Sequence, residues 1–527
     1  MKTLYYGGAI ETMEPAGRVE ALLAEDGVIV AAGDWEQLRP MAHGAETVNL
    51  DGRALLPAFL DPHSHFSGAA YAMLQAPLGE TVDFAELEHA FINFIEENAV
   101  PEGQWLVGRG YDQTALAEGR HPTREVLDHV STVHPIMAVH QSGHMGVFNT
   151  RALELLGVTA DTPAPAGGMI GKENGNLTGY MEENAFLQYQ QRVPSPSMDD
   201  LLDACRRAQR MYASYGIATV QEGMLPGELI DLYRMLLERD ALELDVVAYA
   251  GMDALDAALH AFPHAVRRYD RRFKLGGCKL FLDGSPQAHT AWLRQPYENA
   301  PDGYRGYPTM EDDALRQALE TAYQRRMQPL VHCNGDAAAA QLLRVVDEIE
   351  QAHPDFQNLR PVMIHAQLLA PDQMEDMVRL GIIPSFYVAH VHRWGDVHIQ
   401  NLGMARASYL SAAGSALRRG IPFTFHQDTP VLPPDMLHSV WCAVERRTAK
   451  GVVLGEKERI SVVDALRAVT VNAAHQYFEE EQKGSLRPGK AADFVLLDAD
   501  PLTVPADRLR GISVLETIKG GKTLFRA

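Results

Sequence analysis

Short apolar runs alternate with amphipathic stretches through the middle of the chain. The apolar runs predict eight strands, at 58–61, 217–221, 246–250, 276–282, 329–332, 361–365, 382–386 and 421–425. Between most of them, segments such as MEDDALRQALETAYQRR repeat apolar residues with the period of an amphipathic helix. Strands that alternate with helices are typical of α/β proteins with a parallel sheet, and eight such units form a closed (β/α)8 barrel of the TIM type.

Both ends of the chain have a different residue pattern, in which strand-like runs are separated by Gly and Asp. Neither end has enough strands for a stable sheet by itself. We therefore predict one small β-sandwich domain from residues 1–57 and 484–527, next to a barrel domain at 58–483. Another strand candidate, at 135–140, lies in the stretch from about 70 to 200. That stretch is too long for one connection, so we assign it largely to an insertion.

Composition excludes several classes of partner. The 527 residues include 47 Lys+Arg and 69 Asp+Glu, a formal charge of −22. Nucleic acids and anionic membranes require clustered positive charge, so neither is expected as a partner. The chain has no apolar run of membrane-spanning or signal-peptide length, and we predict a cytoplasmic protein. The four cysteines lie far apart, which argues against a disulfide framework or a zinc finger; Cys278 and Cys333 are expected to be packing residues.

Histidines stand at the ends of the predicted strands. His63 and His65 follow the first strand, and side chains two residues apart in an extended chain point the same way. His332 and His365 end the fifth and sixth strands, and Asp428 follows the eighth. The carboxyl ends of barrel strands form the face where catalytic residues lie. Imidazoles and a carboxylate that converge there predict a divalent-metal site.

A lysine inside an apolar strand adds to this pattern. Lys279 lies in GGCKLFLDG, where a charged amine is costly to bury without a partner. A neutral amine can take up carbon dioxide and become a carbamate, which resembles a carboxylate and can bridge two cations. Each candidate also has an ordinary structural alternative: a satisfied strand-end histidine, an aspartate that caps a helix, or a lysine that reaches solvent. Their joint placement on five of the eight strands favours metal binding.

These residues resemble the amidohydrolase superfamily, and in particular its YtcJ-like branch, amidohydrolase family 3. The resemblance covers nearly the whole chain and includes the phrases LPAFLDPHSH, YGIATVQEG, CKLFLDGSPQAHTAW, NGDAAAAQLL, ALRAVTVNAAHQYF and GSLRPGKAADFVLLDADPL. The family places HxH on strand 1, a lysine on strand 4, histidines on strands 5 and 6 and an aspartate on strand 8. The matching positions are His63, His65, Lys279, His332, His365 and Asp428. The chain departs from the branch at the pair His426-Gln427, at His289 and along 388–398.

The resemblance implies a hydrolase that cleaves an amide-type C–N bond by metal-activated hydroxide. The substrate implied is an N-acyl or N-formyl amine, or a cyclic amide. Zinc is the first expectation, as one or two ions, although Mn, Fe and Co suit the same ligands. The strand-1 histidines and Asp428 would surround one ion. The histidines of strands 5 and 6 would hold a second, with carbamylated Lys279 as the bridge, and Asp428 would act as general base and then general acid.

Other residues are candidates for substrate contact, namely His144, Glu222, His289 and Trp394. His144 and Asn149 lie in HQSGHMGVFNT, where the alternative for Asn149 is a helix cap. Glu222 follows strand 2 and is otherwise a plain surface carboxylate. Trp394 belongs to a predicted loop after strand 7 that holds a second HxH at 390–392. That loop is interpreted as a lid or substrate wall, a separate metal site, or a solvated segment.

Alternative functions stay open at this point. A metal-dependent deaminase of a nucleobase-like ring usually carries a Glu soon after the strand-5 histidine; here only Asp336 stands nearby. Phosphotriester or lactone hydrolysis uses the same metal chemistry. A barrel that binds metal or ligand without turnover does not require Asp428 for proton transfer. The expected partner is a small-molecule substrate, and a homodimer is common in the superfamily.

Overall fold

The computed structural model describes residues 2–527 of a mixed α/β protein; Met1, the first residue of the predicted terminal domain, lies outside this range. The described chain divides into two compact units. The first comprises 2–67 and 208–527, and the second comprises Gly68–Arg207. No helix within 2–527 combines the length and apolar character needed to cross a bilayer.

A parallel sheet in the first unit contains all eight predicted strands. We number them β1 to β8 in chain order: Phe59–Leu60, Ile217–Leu225, Asp245–Gly251, Phe273–Phe281, Gln328–Cys333, Val362–His365, Ile383–Phe386 and Thr424–Phe425. Each strand pairs in parallel with the next, so the hydrogen-bonded pairs run from β1 to β8 as a parallel half-barrel. Closure of β8 onto β1, which a (β/α)8 barrel requires, stays a prediction. Every residue of β3 is buried, as expected for a parallel strand covered on both faces.

Amphipathic helices separate these strands. In the helix Asp336–Ala352, buried residues recur every three or four positions, as in Leu342, Val345 and Ile349. The α-helices of the first unit are Trp35–Met41, Ile230–Glu238, Leu255–Ala261, Asp312–Arg325, Asp336–Ala352, Met374–Arg379, His390–Arg393, Gly395–Ala407, Ala413–Arg418, Met436–Glu445, Val462–Ala468 and Val471–Gln476. Helices Phe66–Ala72 and Met198–Ser214 contain the two points where the chain passes between the units.

Strands from both ends of the chain join in one sheet. Its members are Lys2–Glu11, Arg18–Glu25, Val28–Gly33, Glu46–Asn49, Ala54–Pro57, Phe494–Leu497, Val514–Lys519 and Lys522–Arg526. The ends meet where Phe494–Leu497 pairs antiparallel with Ala54–Pro57, with Val495 opposite Leu56. This sheet and the parallel sheet fall in the same compact unit. The predicted sandwich and the division at 57 and 484 therefore stay predictions.

The second unit has a sheet of its own, in which the predicted strand at 135–140 appears as Ile136–His140. The strands of this sheet are Ala76–Pro77, Leu106–Tyr111, Ile136–His140, Met145–Phe148, Gly168–Glu173 and Asn176–Glu183. Its α-helices are Phe84–Glu97, Arg124–Val130, Thr150–Leu156 and Asn184–Gln190.

A buried ion network joins the parallel sheet to the C-terminal segment within the first unit. The Lys483 ammonium contacts the Asp245 carboxylate and lies 2.8 Å from Glu479 Oε2. Lys519 lies 2.8 Å from Asp245 Oδ2, and Lys274 contacts Glu479. All five side chains are at least nine-tenths buried, so each charge depends on its partners rather than on water.

This network predicts a specific acid sensitivity. Burial alone would raise the pKa of Asp245, but Lys483 and Lys519 hold that pKa well below its usual range. A carboxyl of lowered pKa contributes stability above its unfolded pKa of about 3.9, and this contribution is lost as pH falls through the folded value. Thermal denaturation temperatures measured from about pH 5 to about pH 2 should therefore fall more steeply in the wild type than in Asp245→Asn. Equal slopes in the two proteins would contradict this assignment.

Candidate metal centre

The carboxyl ends of the parallel strands carry the candidate ligands. His63 and His65 follow β1, Lys279 lies near the end of β4, His332 lies in β5, and His365 is the last residue of β6. Asp428 comes three residues after β8. Because parallel strands present their carboxyl ends at one edge of the sheet, side chains distant in sequence meet there.

Three of these residues form a compact group of ligand atoms. One ligand atom each from His63, His365 and Asp428 lies within 4.8 Å of the other two. His63 Nε2 and His65 Nε2 are each 3.4 Å from Asp428 Oδ1. His63 and His365 are buried, and His65 is partly exposed.

Lys279 lies beside the same group. Its Nζ is 3.4 Å from His63 Nε2 and 5.0 Å from the centre of the Phe281 ring, and the side chain is 2% exposed. Burial lowers the pKa of Lys279 to about 7, against the opposing effect of Asp428. A substantial fraction of the amine is therefore neutral near neutral pH, the form that can take up carbon dioxide.

Further imidazoles extend the group in a chain. His365 Nε2 lies 3.1 Å from His332 Nδ1, and His365 Nδ1 lies 3.1 Å from His426 Nε2. His426 Nδ1 is in turn 2.9 Å from Ser385 Oγ. Burial lowers the pKa of His332 to about 4 and that of His426 to about 3. These rings are neutral at physiological pH, as metal ligation by histidine requires.

The donor set fits a divalent cation. Asp428 Oδ1 is buried and has no hydrogen-bond partner among residues 2–527. Burial alone would raise the pKa of Asp428, but His65 and the other surrounding imidazoles hold it well below its usual range. The group thus combines neutral nitrogen donors with one ionised carboxylate, a ligand set that suits zinc and similar metals.

The backbone at two of these residues is held in the left-handed region. His365 has φ of +71° and Asp428 has φ of +56°. This conformation is unfavourable for a non-glycine residue, and such strain concentrates at functional sites. It turns each side chain away from the direction it would take in a continued strand.

Two polar residues that the sequence analysis left out fix the orientation of His63. Gln221 Oε1 lies 2.7 Å from His63 Nδ1, and Gln221 Nε2 donates to Pro62 O. Asp61 Oδ1 accepts from the His63 backbone N–H at 3.2 Å. A hydrogen bond on Nδ1 leaves Nε2 free to face the candidate metal position, the usual arrangement at histidine ligands. The sequence signal for Gln221 was a polar residue inside the buried run IATVQ.

A buried aspartate organises the loop after β5. Asp283 accepts hydrogen bonds from the backbone N–H groups of Asn334, Gly335 and Trp292, at 2.9, 2.7 and 3.0 Å. The Asn334 amide lies 3.0 Å from His332 Nε2. Burial raises the pKa of Asp283 to about 7, against these backbone hydrogen bonds. Asp283 therefore positions the segment that borders His332.

The predicted substrate-contact residues of the first unit lie in different surroundings. Glu222 is buried, and its Oε2 accepts from Ser67 N at 2.9 Å and from Tyr233 Oη at 2.6 Å. These contacts show that Glu222 is not the plain surface carboxylate considered as its alternative. His289 packs against Tyr297 at 4.6 Å between ring centres, with the rings tilted by 39°. Substrate contact by Glu222 and His289 stays a prediction.

The segment after β7 is helical, which corrects the predicted loop. His390 and His392 lie in the short helix His390–Arg393. His390 is buried with its Nδ1 3.0 Å from His398 Nε2, whereas His392 Nδ1 lies 3.1 Å from Arg447 O. One helical turn points residues two apart in different directions, so this HxH does not converge. Trp394 follows at once and packs on His390 at 4.5 Å.

The remaining candidates lie in the second unit. His144 is exposed and its Nδ1 lies 3.2 Å from Glu183 Oε2. Asn149 accepts from Ala152 N at 2.9 Å and caps the helix Thr150–Leu156, which is the structural alternative considered for it. Substrate contact by His144 stays a prediction. In the first unit, Cys278 and Cys333 are both buried and free.

Comparison with known proteins identifies the chain. The model of the amidohydrolase family matches residues 46–525. The chain belongs to the amidohydrolase family. A curated relative, the putative amidohydrolase YtcJ of Bacillus subtilis (strain 168), is 27% identical over 543 residues, covering 100% of this chain and 99% of the relative. The N-substituted formamide deformylase of Arthrobacter pascens is 25% identical over 530 residues, or 95% and 94% of the two chains.

A solved structure agrees with this membership. An uncharacterized metal-dependent hydrolase from Pyrococcus furiosus superimposes with a TM-score of 0.77 at 26% identity, covering 95% of this amidohydrolase and 100% of the other chain. Family membership and this likeness support a hydrolase of C–N bonds with a divalent metal.

Proposed function

We propose that this amidohydrolase cleaves an amide-type C–N bond in a small molecule, with a divalent metal at the carboxyl ends of the parallel strands. The observation that carries the proposal is the convergence of His63, His365 and Asp428 within 4.8 Å. No comparable feature of the described residues favours a deaminase: Asp336, the residue that kept this alternative open, accepts from Arg294 N at 2.9 Å.

The scaffold in this proposal is a closed (β/α)8 barrel. The eight parallel strands in sequence order support it, as does the hydrogen bond from His65 N to Thr429 O, which links the segments after β1 and β8 at 2.8 Å. The sheet made from both termini would form the small β-sandwich domain.

The residues present divide into two ligand sets. His63, His65 and Asp428 would hold one ion. His332 and His365 would hold a second, with carbamylated Lys279 between the ions. A bound cation such as zinc supplies Lewis acidity, which lowers the pKa of a coordinated water and polarises a carbonyl.

Asp428 carries the proton transfers in this proposal. Its Oδ1 is buried, ionised and without a hydrogen-bond partner among residues 2–527, so it can accept a proton from the attacking water. It would then donate that proton to the leaving nitrogen, which departs as a neutral amine. His65, 3.4 Å away, orients the carboxylate.

Family membership and the relative named as an N-substituted formamide deformylase support a proposal for the substrate class. We propose an N-formyl or N-acyl amine or a cyclic amide, bound by one chain of a homodimer. Trp394, His289, Glu222 and His144 are the proposed substrate contacts.

A defined panel tests this function. Zn-, Mn- and Co-loaded protein should act on at least one of three compounds. It should release benzylamine from N-benzylformamide or N-acetylbenzylamine, detected by a primary-amine reagent, or open dihydrouracil to N-carbamoyl-β-alanine, detected by chromatography. Ammonia release from cytosine or adenine instead would favour a deaminase. Metal-loaded protein inactive on all these compounds would contradict the proposal.

Metal stoichiometry tests the bridging role of Lys279. Elemental analysis should find about two metals per wild-type chain and about one in Lys279→Ala, because loss of the bridge weakens the second site. Lys522→Ala, at an exposed position, is the matched control and should keep the wild-type content. Equal metal content in Lys279→Ala and wild type would reassign Lys279 to substrate contact or packing.

A further inference from the structure

A buried tyrosine with an unused hydroxyl borders the candidate metal centre. Tyr387 follows the last residue of β7, so it lies at the same carboxyl-end face as the candidate ligands. Its side chain is 2% exposed, and no donor or acceptor among residues 2–527 is within hydrogen-bond distance of its Oη. A buried polar group without a partner is destabilising, so it calls for an explanation.

The Tyr387 ring contacts the histidines of the site directly. Its centre lies 5.1 Å from that of His426 and 6.0 Å from that of His365. Its backbone is held in the same place, since Gln367 Nε2 donates to Tyr387 O at 2.8 Å. The phenol is therefore part of the wall that surrounds the candidate ligands.

Other aromatic groups pack against the same ring. His390 packs on it at 4.6 Å and Trp394 at 6.0 Å. His390 is itself fixed by His398, whose ring stacks on it at 5.3 Å with an interplanar angle of 8°. A hydroxyl held in this way needs little reorganisation when charge develops near it, which is the condition for electrostatic catalysis.

The substrate carbonyl oxygen can accept from a second group, beside the cation that would polarise it. When water attacks an amide carbonyl, the carbonyl oxygen becomes an oxyanion that needs a hydrogen-bond donor. The histidines of the two ligand sets and Lys279 are assigned to the metals, and both ring nitrogens of His426 already have partners in His365 and Ser385. Tyr387 offers an O–H group that no other residue of 2–527 engages.

We infer that the Tyr387 hydroxyl donates a hydrogen bond to the carbonyl oxygen of the substrate and stabilises the oxyanion formed on attack. The inference rests on the proposed function, and it makes Tyr387 a catalytic residue of that reaction. It also places the carbonyl group of the substrate between Tyr387 and Asp428.

Tyr387→Phe is the decisive variant, because it removes only the hydroxyl. On whichever panel compound the wild type hydrolyses, kcat should fall by about 10²–10³-fold, with KM changed by less than about threefold. The metal content should equal that of the wild type. The denaturation temperature should stay equal or rise, since the hydroxyl lost has no partner in the protein.

Tyr249→Phe is the matched control. Tyr249 is also fully buried, but its hydroxyl donates to Gln328 Oε1 at 2.6 Å in the core of the parallel sheet. Its loss should lower the denaturation temperature and leave kcat unchanged, the reverse of the Tyr387→Phe result.

A binding measurement gives a readout that does not depend on turnover. Acetohydroxamate, a small amide analogue that chelates divalent metals, should bind the zinc-loaded wild type in calorimetry. Tyr387→Phe should bind it about tenfold more weakly. If the wild type binds the hydroxamate or hydrolyses a panel compound, and Tyr387→Phe does so with the same affinity and the same kcat, the inference is overturned but the proposed function stays intact. Metal loss in Tyr387→Phe would make the residue a ligand support and also overturn it. A zinc-loaded wild type that neither binds the hydroxamate nor hydrolyses any panel compound would overturn both.

Discussion

Asp428→Asn should lower kcat/KM on a hydrolysed panel compound by about 10²–10⁴-fold, the usual contribution of a positioned general acid–base residue. The amide keeps the size of the side chain and one oxygen donor, but it cannot take a proton from water. The buried, unpartnered Oδ1 next to His63 and His65 is the structural basis for this expectation. Steady-state kinetics with amine detection, together with elemental analysis of the same samples, checks it.

Metal content separates two explanations of a loss of activity. Asp428→Asn with about the wild-type metal content and no turnover supports the proton-transfer role. The control is Asp313→Asn, because the Asp313 side chain is 97% exposed and remote from the strand ends in sequence; it should retain full activity. Asp428→Asn that retains both its metal and most of its activity would contradict the role assigned to Asp428.

Lys483→Met should lower the free energy of unfolding by about 3–5 kcal/mol, the usual cost of removing one partner from a buried ion pair. The variant leaves the carboxylates of Asp245 and Glu479 buried with one fewer cation. The remaining contacts of Lys519 and Lys274 compensate only in part, because each of these lysines already serves one of the two carboxylates. Urea denaturation at pH 7, followed by circular dichroism and tryptophan fluorescence, measures the change.

An exposed pair provides the comparison for this stability effect. Arg344 lies 2.6 Å from Asp312, and both side chains are substantially exposed. Because water screens such pairs, Arg344→Met should change the unfolding free energy by less than about 1 kcal/mol. Similar losses in Lys483→Met and Arg344→Met would show that the buried network adds nothing beyond surface pairing. Both variants should keep wild-type activity, since neither residue lies at the metal centre.

The strands and the metal candidates could be predicted because each left a local signal. A parallel strand buried on both faces must be apolar along its length, so the eight runs stand out from the helices between them. A histidine, lysine or aspartate at the end of such an apolar run is conspicuous, because it interrupts a series of apolar residues. His63, His365 and Asp428 were found in this way before any distance was known.

The contributions of His426, Gln221 and Tyr387 could not be read from the sequence. His426 stands two residues before Asp428, the same spacing as His63 and His65, but its contact joins the segment after β8 to His365 at the end of β6. Gln221 and Tyr387 belong to apolar segments in which a single polar group is common and usually satisfied locally. Whether such a group has a partner depends on neighbours far away in sequence.

Prediction from local sequence also failed where tertiary packing determines the secondary structure of a segment. Residues 390–393 form a helical turn that buries His390 against His398, and the pattern VAHVHRW does not distinguish this from a loop. The strand predicted at 421–425 is reduced to Thr424–Phe425. Strand limits depend on which neighbour offers hydrogen bonds, and that information is not local.

The amino-acid sequence by itself determined the α/β class, the eight strands and the residue types of the candidate metal centre. Burial and hydrogen-bonding capacity are properties of each segment, so they appear in its composition and period. The tertiary structure alone decided which imidazoles meet, that Lys279 lies 3.4 Å from His63, and that the Tyr387 hydroxyl is left without a partner. Distances and pKa values depend on atoms brought together from separate strands, and only the folded chain fixes them.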